Sequence, residues 1–125
     1  MEISVDDLRA LGDNGATIID VAKHQGHREI RGAIRYRPND LLTPDHLALP
    51  IAPERPVVLY DEDGSEKMTA QIAERLRENG FADVRTLGGG MKAWEAAGGP
   101  TQEASTEQPV PPTRPSQVPE LDRRS

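Results

Sequence analysis

The sequence predicts an α/β domain with a mostly parallel central sheet and helices on both of its faces. Three observations carry the prediction. Short β-rich runs alternate with helical runs through residues 1 to 100. One run, Pro56-Val57-Val58-Leu59-Tyr60, is apolar almost throughout, which suits a strand covered on both faces. The connections between elements are short, as sequential strand and helix units of one sheet require.

Ser4 is an N-cap candidate with Asp7 three residues on, so a short first helix carrying Leu8 and Leu11 comes next and closes near Gly12 to Gly15. Ala16-Thr17-Ile18-Ile19-Asp20-Val21 reads as a buried strand and Ala33-Ile34-Arg35-Tyr36 as a more amphipathic one. Thr43-Pro44 sets a capping hydroxyl before a proline suited to the first helical position, predicting a helical turn or two through Leu47. After the central strand a long helix runs from about Ser65 to Asn79, with Met68, Ile72, Ala73 and Leu76 on one stripe and Gly80 as its stop. Ala82 to Leu87 forms another strand. Gly88 to Gly90 then turn the chain into a last helix carrying Trp94, which ends at Gly98-Gly99-Pro100.

Composition bounds the function. A chain of 125 residues has room for one domain and one modest core. That domain spans residues 1–100, and residues 101–125 read as a disordered Pro-rich tail, since Pro109, Pro111, Pro112, Pro115 and Pro119 stand among polar residues with little to bury. Its Pro-x-x-Pro spacings, Pro109 to Pro112 and Pro112 to Pro115, are read as composition. A net charge of -6 lacks the basic stripe that phosphate backbones demand, so nucleic acid is not expected as a partner. No stretch approaches a membrane span, and Met1-Glu2-Ile3-Ser4 lacks the basic start and apolar run of a signal peptide; a cytoplasmic protein without membrane contact is expected. With no cysteine in the sequence, the chain carries no disulfide, thiolate metal site, thiol nucleophile or persulfide.

Several local words stand in a telling order. Ile3-Ser4-Val5-Asp6-Asp7-Leu8 opens the chain, Ile18-Ile19-Asp20-Val21 ends the first long strand, and Arg28-Glu29-Ile30-Arg31-Gly32-Ala33-Ile34 lies just beyond it. Later come Asn79-Gly80-Phe81-Ala82-Asp83-Val84-Arg85-Thr86-Leu87 and Gly89-Gly90-Met91-Lys92-Ala93-Trp94. In this order the words resemble the rhodanese homology domain over residues 3 to 99. The resemblance has gaps: Ala22 stands where the family's Asp-Val-Arg has arginine, and the Gly-His-Ile-Pro-Gly-Ala-Ile loop survives only in part.

The resemblance implies sulfur transfer through a cysteine in a loop Tyr-Cys-x-x-Gly-x-Arg-Ser, where backbone amides at a helix mouth converge on the sulfur and lower its pKa. Here the corresponding loop reads Tyr60-Asp61-Glu62-Asp63-Gly64-Ser65-Glu66-Lys67. Asp61 comes directly after the tyrosine, and a slightly longer spacing from Gly64 to Gly80 leaves Asp63 as the other candidate for the cysteine position. A carboxylate is hard and holds no persulfide, and the acidic residues repel anionic substrates, with Lys67 the loop's one cation. Asp61, Glu62, Asp63, Gly64, Ser65, Glu66 and Lys67 are therefore expected to form a vestigial active-site loop with no catalytic residue. Asp61 or Asp63 is expected to turn its carboxylate into the amide cradle in place of a bound anion.

The expected function is a catalytically inactive module that binds a protein partner or regulates one, without cofactor or metal. The alternative is sulfur transfer with a thiol supplied by a partner or a small molecule. A weaker one takes Asp61-x-Asp63-Gly64-Ser65 as the first motif of haloacid-dehalogenase-type enzymes, with an aspartate nucleophile beside magnesium. That reading lacks a carboxylate at the end of the next strand, Leu87-Gly88-Gly89-Gly90. His24, His27, Glu29 and His46 are spaced too loosely for a metal motif and read as solvated surface groups.

Overall fold

The computed structural model describes residues 1–12 and 15–110. The central sheet holds five strands: β1 (Glu2–Ile3), β2 (Thr17–Asp20), β4 (Ile34–Arg35), β5 (Val57–Tyr60) and β6 (Val84–Leu87). Their spatial order is β1-β6-β5-β2-β4, and every neighbouring pair is parallel. A separate antiparallel pair joins β3 (Arg28–Ile30) to β7 (Thr101–Glu103).

The central strand explains the layering. Successive side chains of β5 point to opposite faces, so Val57 and Leu59 enter one apolar cluster while Val58 and Tyr60 enter the other. The first cluster is closed by Leu41 of α2 (Pro38–Leu42) and by Ile72, Ala73 and Leu76 of α3 (Lys67–Glu78). The second is closed by Leu8 of α1 (Val5–Leu11) and Trp94 of α4 (Gly90–Ala96). All four β5 side chains are buried, which is why this run alone reads as continuous apolar sequence.

The caps agree with the sequence reading at the start and depart from it in the middle. Ser4 Oγ accepts the Asp7 amide at 3.1 Å and opens α1 as its spacing predicts. The helical turn expected from Thr43-Pro44 through Leu47 does not form; the helix lies earlier, with Pro38 in its first turn and Thr43 as its C-cap. Pro38 has the same fitness for that position as Pro44, and the Thr43 hydroxyl donates back to the Asn39 carbonyl at 2.7 Å instead of capping a new helix at Pro44.

Residues 101–110, read from the sequence as the start of the tail, are part of the fold. Beyond β7, the Gln108 amide donates to the Arg35 carbonyl at 2.8 Å, Glu107 bridges to β4 beside the sheet edge, and Val110 packs against the α2 and α3 cluster. The expected disorder of the remaining tail concerns residues 111–125, outside the described residues, as do the later prolines of both Pro-x-x-Pro spacings. Among the described residues no helix is long and apolar enough to cross a membrane.

Candidate functional site

Parallel strands bring their C-terminal ends to one edge of the sheet, where loops converge and sites form. There Tyr60 ends β5 and the chain turns through residues 61–66 into α3. Asp61 is 1% exposed. Its Oδ1 accepts the Gly64 amide, and its Oδ2 accepts the Glu66 amide at 3.1 Å and the Thr69 hydroxyl at 2.7 Å. Gly64 reaches that position because it adopts φ +83°, which folds the loop back over the carboxylate. The negative group thus sits at the N-terminal end of a 12-residue helix, on amides that have no partner within the helix.

Asp63 does something different. Its Oδ1 accepts the Ser65 hydroxyl at 2.6 Å and the Ser65 amide at 3.0 Å, closing a local turn at the surface. Those two bonds hold its carboxyl below the usual aspartate range. Of the two aspartates considered for the cysteine position, Asp61 is the one whose carboxylate occupies the amide cradle. Glu62 is exposed, Glu66 accepts the Lys23 amide at 2.8 Å, and Lys67 is an exposed residue at the start of α3.

The second glycine turn locks this loop in place. The Met91 amide donates to the Asp61 carbonyl and the Lys92 amide to the Glu62 carbonyl, each at 2.9 Å. The approach is possible because Gly90, at φ +60°, has no side chain; a Cβ there would stand 2.4 Å from the Asp61 carbonyl oxygen. Gly90→Ala therefore combines left-handed backbone strain with a backbone clash, and we expect a loss of at least about 2 kcal/mol in urea unfolding. A loss under about 0.5 kcal/mol would show that the two loops do not interlock.

Beside the cradle lies a cleft of about 480 Å³. One wall is the loop His24 to Arg28; the other comes from Glu62 and from Met91, Lys92 and Glu95 of α4, with buried Asp20, Tyr60 and Asp61 on the inner side. His24 and His27 lie on this wall as exposed residues, whereas Glu29, grouped with them in the sequence as a surface residue, is fully buried. Among the described residues no three His, Cys, Asp or Glu side chains gather to hold a metal ion.

A polar network supports the inner side of the cleft. The Tyr60 hydroxyl accepts the Ile30 amide at 3.1 Å, and burial, reinforced by Asp20 and Glu29, pushes its phenol well above the usual range. Asp20 accepts the Ala22 amide at 2.9 Å and pairs with Arg35 at 3.2 Å; burial nonetheless raises its carboxyl above the ordinary value. Arg35 also donates to the Ala22 carbonyl at 2.6 Å and to Glu107 at 3.3 Å. The sequence places Asp20 at the end of its strand and gives no role to Thr69, Arg35 or Glu107. The one local signal was Arg35, a charge inside an otherwise apolar strand, which asks for a buried partner.

An all-parallel α/β sheet with a helix-mouth amide cradle, filled by the chain's own carboxylate, defines an α/β domain of anion-site architecture without a thiol. The family model of the rhodanese-like domain matches residues 4–97, and the chain belongs to that family. Solved structures agree. The Alr3790 protein from Anabaena sp. is 29% identical, with a TM-score of 0.68 over 82% of this chain and 80% of its own. A thiosulfate sulfurtransferase from Pseudomonas aeruginosa is 24% identical, with a TM-score of 0.64 over 82% of this chain and 20% of that one. SseA from Escherichia coli, described with the 3-mercaptopyruvate sulfotransferases, is 21% identical, with a TM-score of 0.63 over 88% of this chain and 54% of its own. The last two likenesses concern the fold. No curated protein matches the sequence.

Proposed function

We propose that this chain is a catalytically inactive rhodanese-like module that acts in the cytoplasm by binding a protein partner. One observation carries the reading: the position directly after Tyr60 holds a carboxylate, and Asp61 uses both of its oxygens on the donors that would otherwise receive a substrate or a sulfur. The cleft beside it stays open, and its rim offers Glu62 and Glu95 against Lys92 and Arg28, a surface of mixed charge suited to polar protein contacts. Sulfur transfer with a borrowed thiol is less well supported, because an external thiolate would have to displace Asp61 from its amides. An aspartate nucleophile is disfavoured for the same reason: its lone pairs already face the Gly64, Glu66 and Thr69 donors.

The test is a thiosulfate-to-cyanide assay on the full chain and on Asp61→Cys. The unmodified chain gives no turnover without added thiol; turnover would overturn the proposal. In Asp61→Cys the thiol pKa, read from the pH dependence of alkylation, falls at least about one unit below the ordinary value near 8.5, because the same amides now face sulfur. An ordinary thiol pKa in that variant would mean that the cradle does not point at position 61.

A further inference from the structure

From Thr101 to Ser105 the segment runs along the cleft's loop wall and β3 without lining the cleft itself, and from there Glu107 and Gln108 bond to Arg35 of β4. Its strand pairs Arg28 with Glu103, Glu29 with Gln102 and Ile30 with Thr101. The Ala104 amide donates to the His27 carbonyl at 2.9 Å, and Gln25 Nε2 donates to the Ser105 carbonyl at 2.8 Å. Arg28 donates to the Thr101 hydroxyl at 3.0 Å. The wall residues from Gln25 to Arg28 are thus held from behind by this strap.

The grip centres on Glu29. Its carboxylate is 0% exposed and takes a hydrogen bond from Gln102 Nε2 on one oxygen and from Ser105 Oγ, at 3.1 Å, on the other. Both donors belong to the strap. The strap itself buries little apolar surface, since its residues other than Ala104 are polar and all are half-buried or exposed, so hydrogen bonds and the Glu107 pairs with Arg35 and Arg37 hold it rather than burial, and it is among the first segments to open. Opening cannot stop there. A Glu29 carboxylate left buried without donors is strongly unfavourable, so β3 and the wall must move with the strap until Glu29 reaches water.

We infer that residues 101–108 are a latch that sets the shape of the cleft, with the strap and the His24–Arg28 wall released together through Glu29. Such a latch does not require the chain to be inactive, so it stands or falls separately from the proposed function. Closed, the latch presents the wall in one fixed form; open, it unfolds the wall while the parallel sheet remains. Two discrete states of this kind are what a binding site needs to be switched from outside.

Amide hydrogen exchange on the full chain tests it, comparing the unmodified chain with Gln102→Ala/Ser105→Ala. Protection of the Glu29, Ile30 and Ala104 amides is expected to fall together by about ten- to hundred-fold, the effect of losing two hydrogen bonds, while Val58 and Leu59 in β5 keep theirs. Faster exchange at Ala104 and Glu29, whose amides face the strap, with Ile30, whose amide is held by the Tyr60 hydroxyl, unchanged would make the strap an independently fraying end and overturn the inference. A staple covers the case in which the double variant unfolds globally. Arg28 and Glu103 face each other as exposed residues in the antiparallel pair, between the bonded pairs, and the chain has no other cysteine to interfere. In Arg28→Cys/Glu103→Cys, oxidation is expected to slow exchange of the Glu29 and Ile30 amides relative to the reduced form by at least about ten-fold. Equal exchange in the two forms would also overturn it.

Discussion

Asp61→Ala is expected to cost about 2–4 kcal/mol of stability, read from the shift of the urea midpoint at constant m-value. Three donors lose their acceptor at once: the Gly64 and Glu66 amides and the Thr69 hydroxyl. Bonds to a charged acceptor are each worth about 1.5–3 kcal/mol, but water can enter from the adjoining cleft and recover part of the loss. The methyl left behind also vacates an anion-sized space at a helix N-terminus. Sulfate should then occupy it and raise the midpoint of Asp61→Ala, with a much smaller effect on the unmodified chain, whose cradle is full. A loss below about 1 kcal/mol together with an equal response to sulfate would sink the idea that this carboxylate stands in for an anion. Asp61→Asn should fall between the two, since its amide keeps one acceptor oxygen and turns an NH₂ group toward a donor.

The sequence placed Asp61 correctly at the end of the central strand because Val57 to Tyr60 carries an unambiguous pattern and the tyrosine marks its last residue. It left Asp61 and Asp63 as equal candidates, because both precede the helix and both are chemically fit to cap it. What separates them is the φ of Gly64, which swings its amide back to Asp61 while Asp63 closes on Ser65. Thr69 was beyond reach for a similar reason: a contact eight residues along depends on the angle at which α3 enters. The strap was illegible because its one strand is short and polar. Thr101-Gln102-Glu103 has no hydropathy signature, and Glu29 reads as a surface charge until the fold buries it. Hydrophobic periodicity reports burial of apolar groups and is silent where polar groups bury one another.

That silence makes the buried pair Asp20 and Arg35 the place for the second large effect. Arg35→Met is expected to destabilise the chain by about 3–5 kcal/mol, the usual result of removing one partner from a buried ion pair. The Arg35 side chain is 3% exposed and that of Asp20 is 4% exposed, so the surviving carboxylate has little access to water. It keeps only the Ala22 amide, and the Ala22 carbonyl and Glu107 lose a donor as well. The pH dependence identifies the cause. Burial already raises the folded Asp20 carboxyl above its ordinary value of 3.8, against the lowering effect of Arg35. A raised folded value means that the folded state holds the proton to higher pH than the unfolded chain does. Stability therefore falls as pH rises from the ordinary aspartate value through the folded one. Without Arg35 the folded value moves up further and that window widens, so the deficit of Arg35→Met should be larger near about pH 8 than near about pH 5. Asp20→Asn/Arg35→Met, which leaves no buried charge at this position, should recover much of the loss at the higher pH and remove most of the difference between the two pH values. A deficit of the same size at both pH values, unrelieved in the double variant, would locate the cost in lost packing of the arginine stem and not in the uncompensated charge of Asp20.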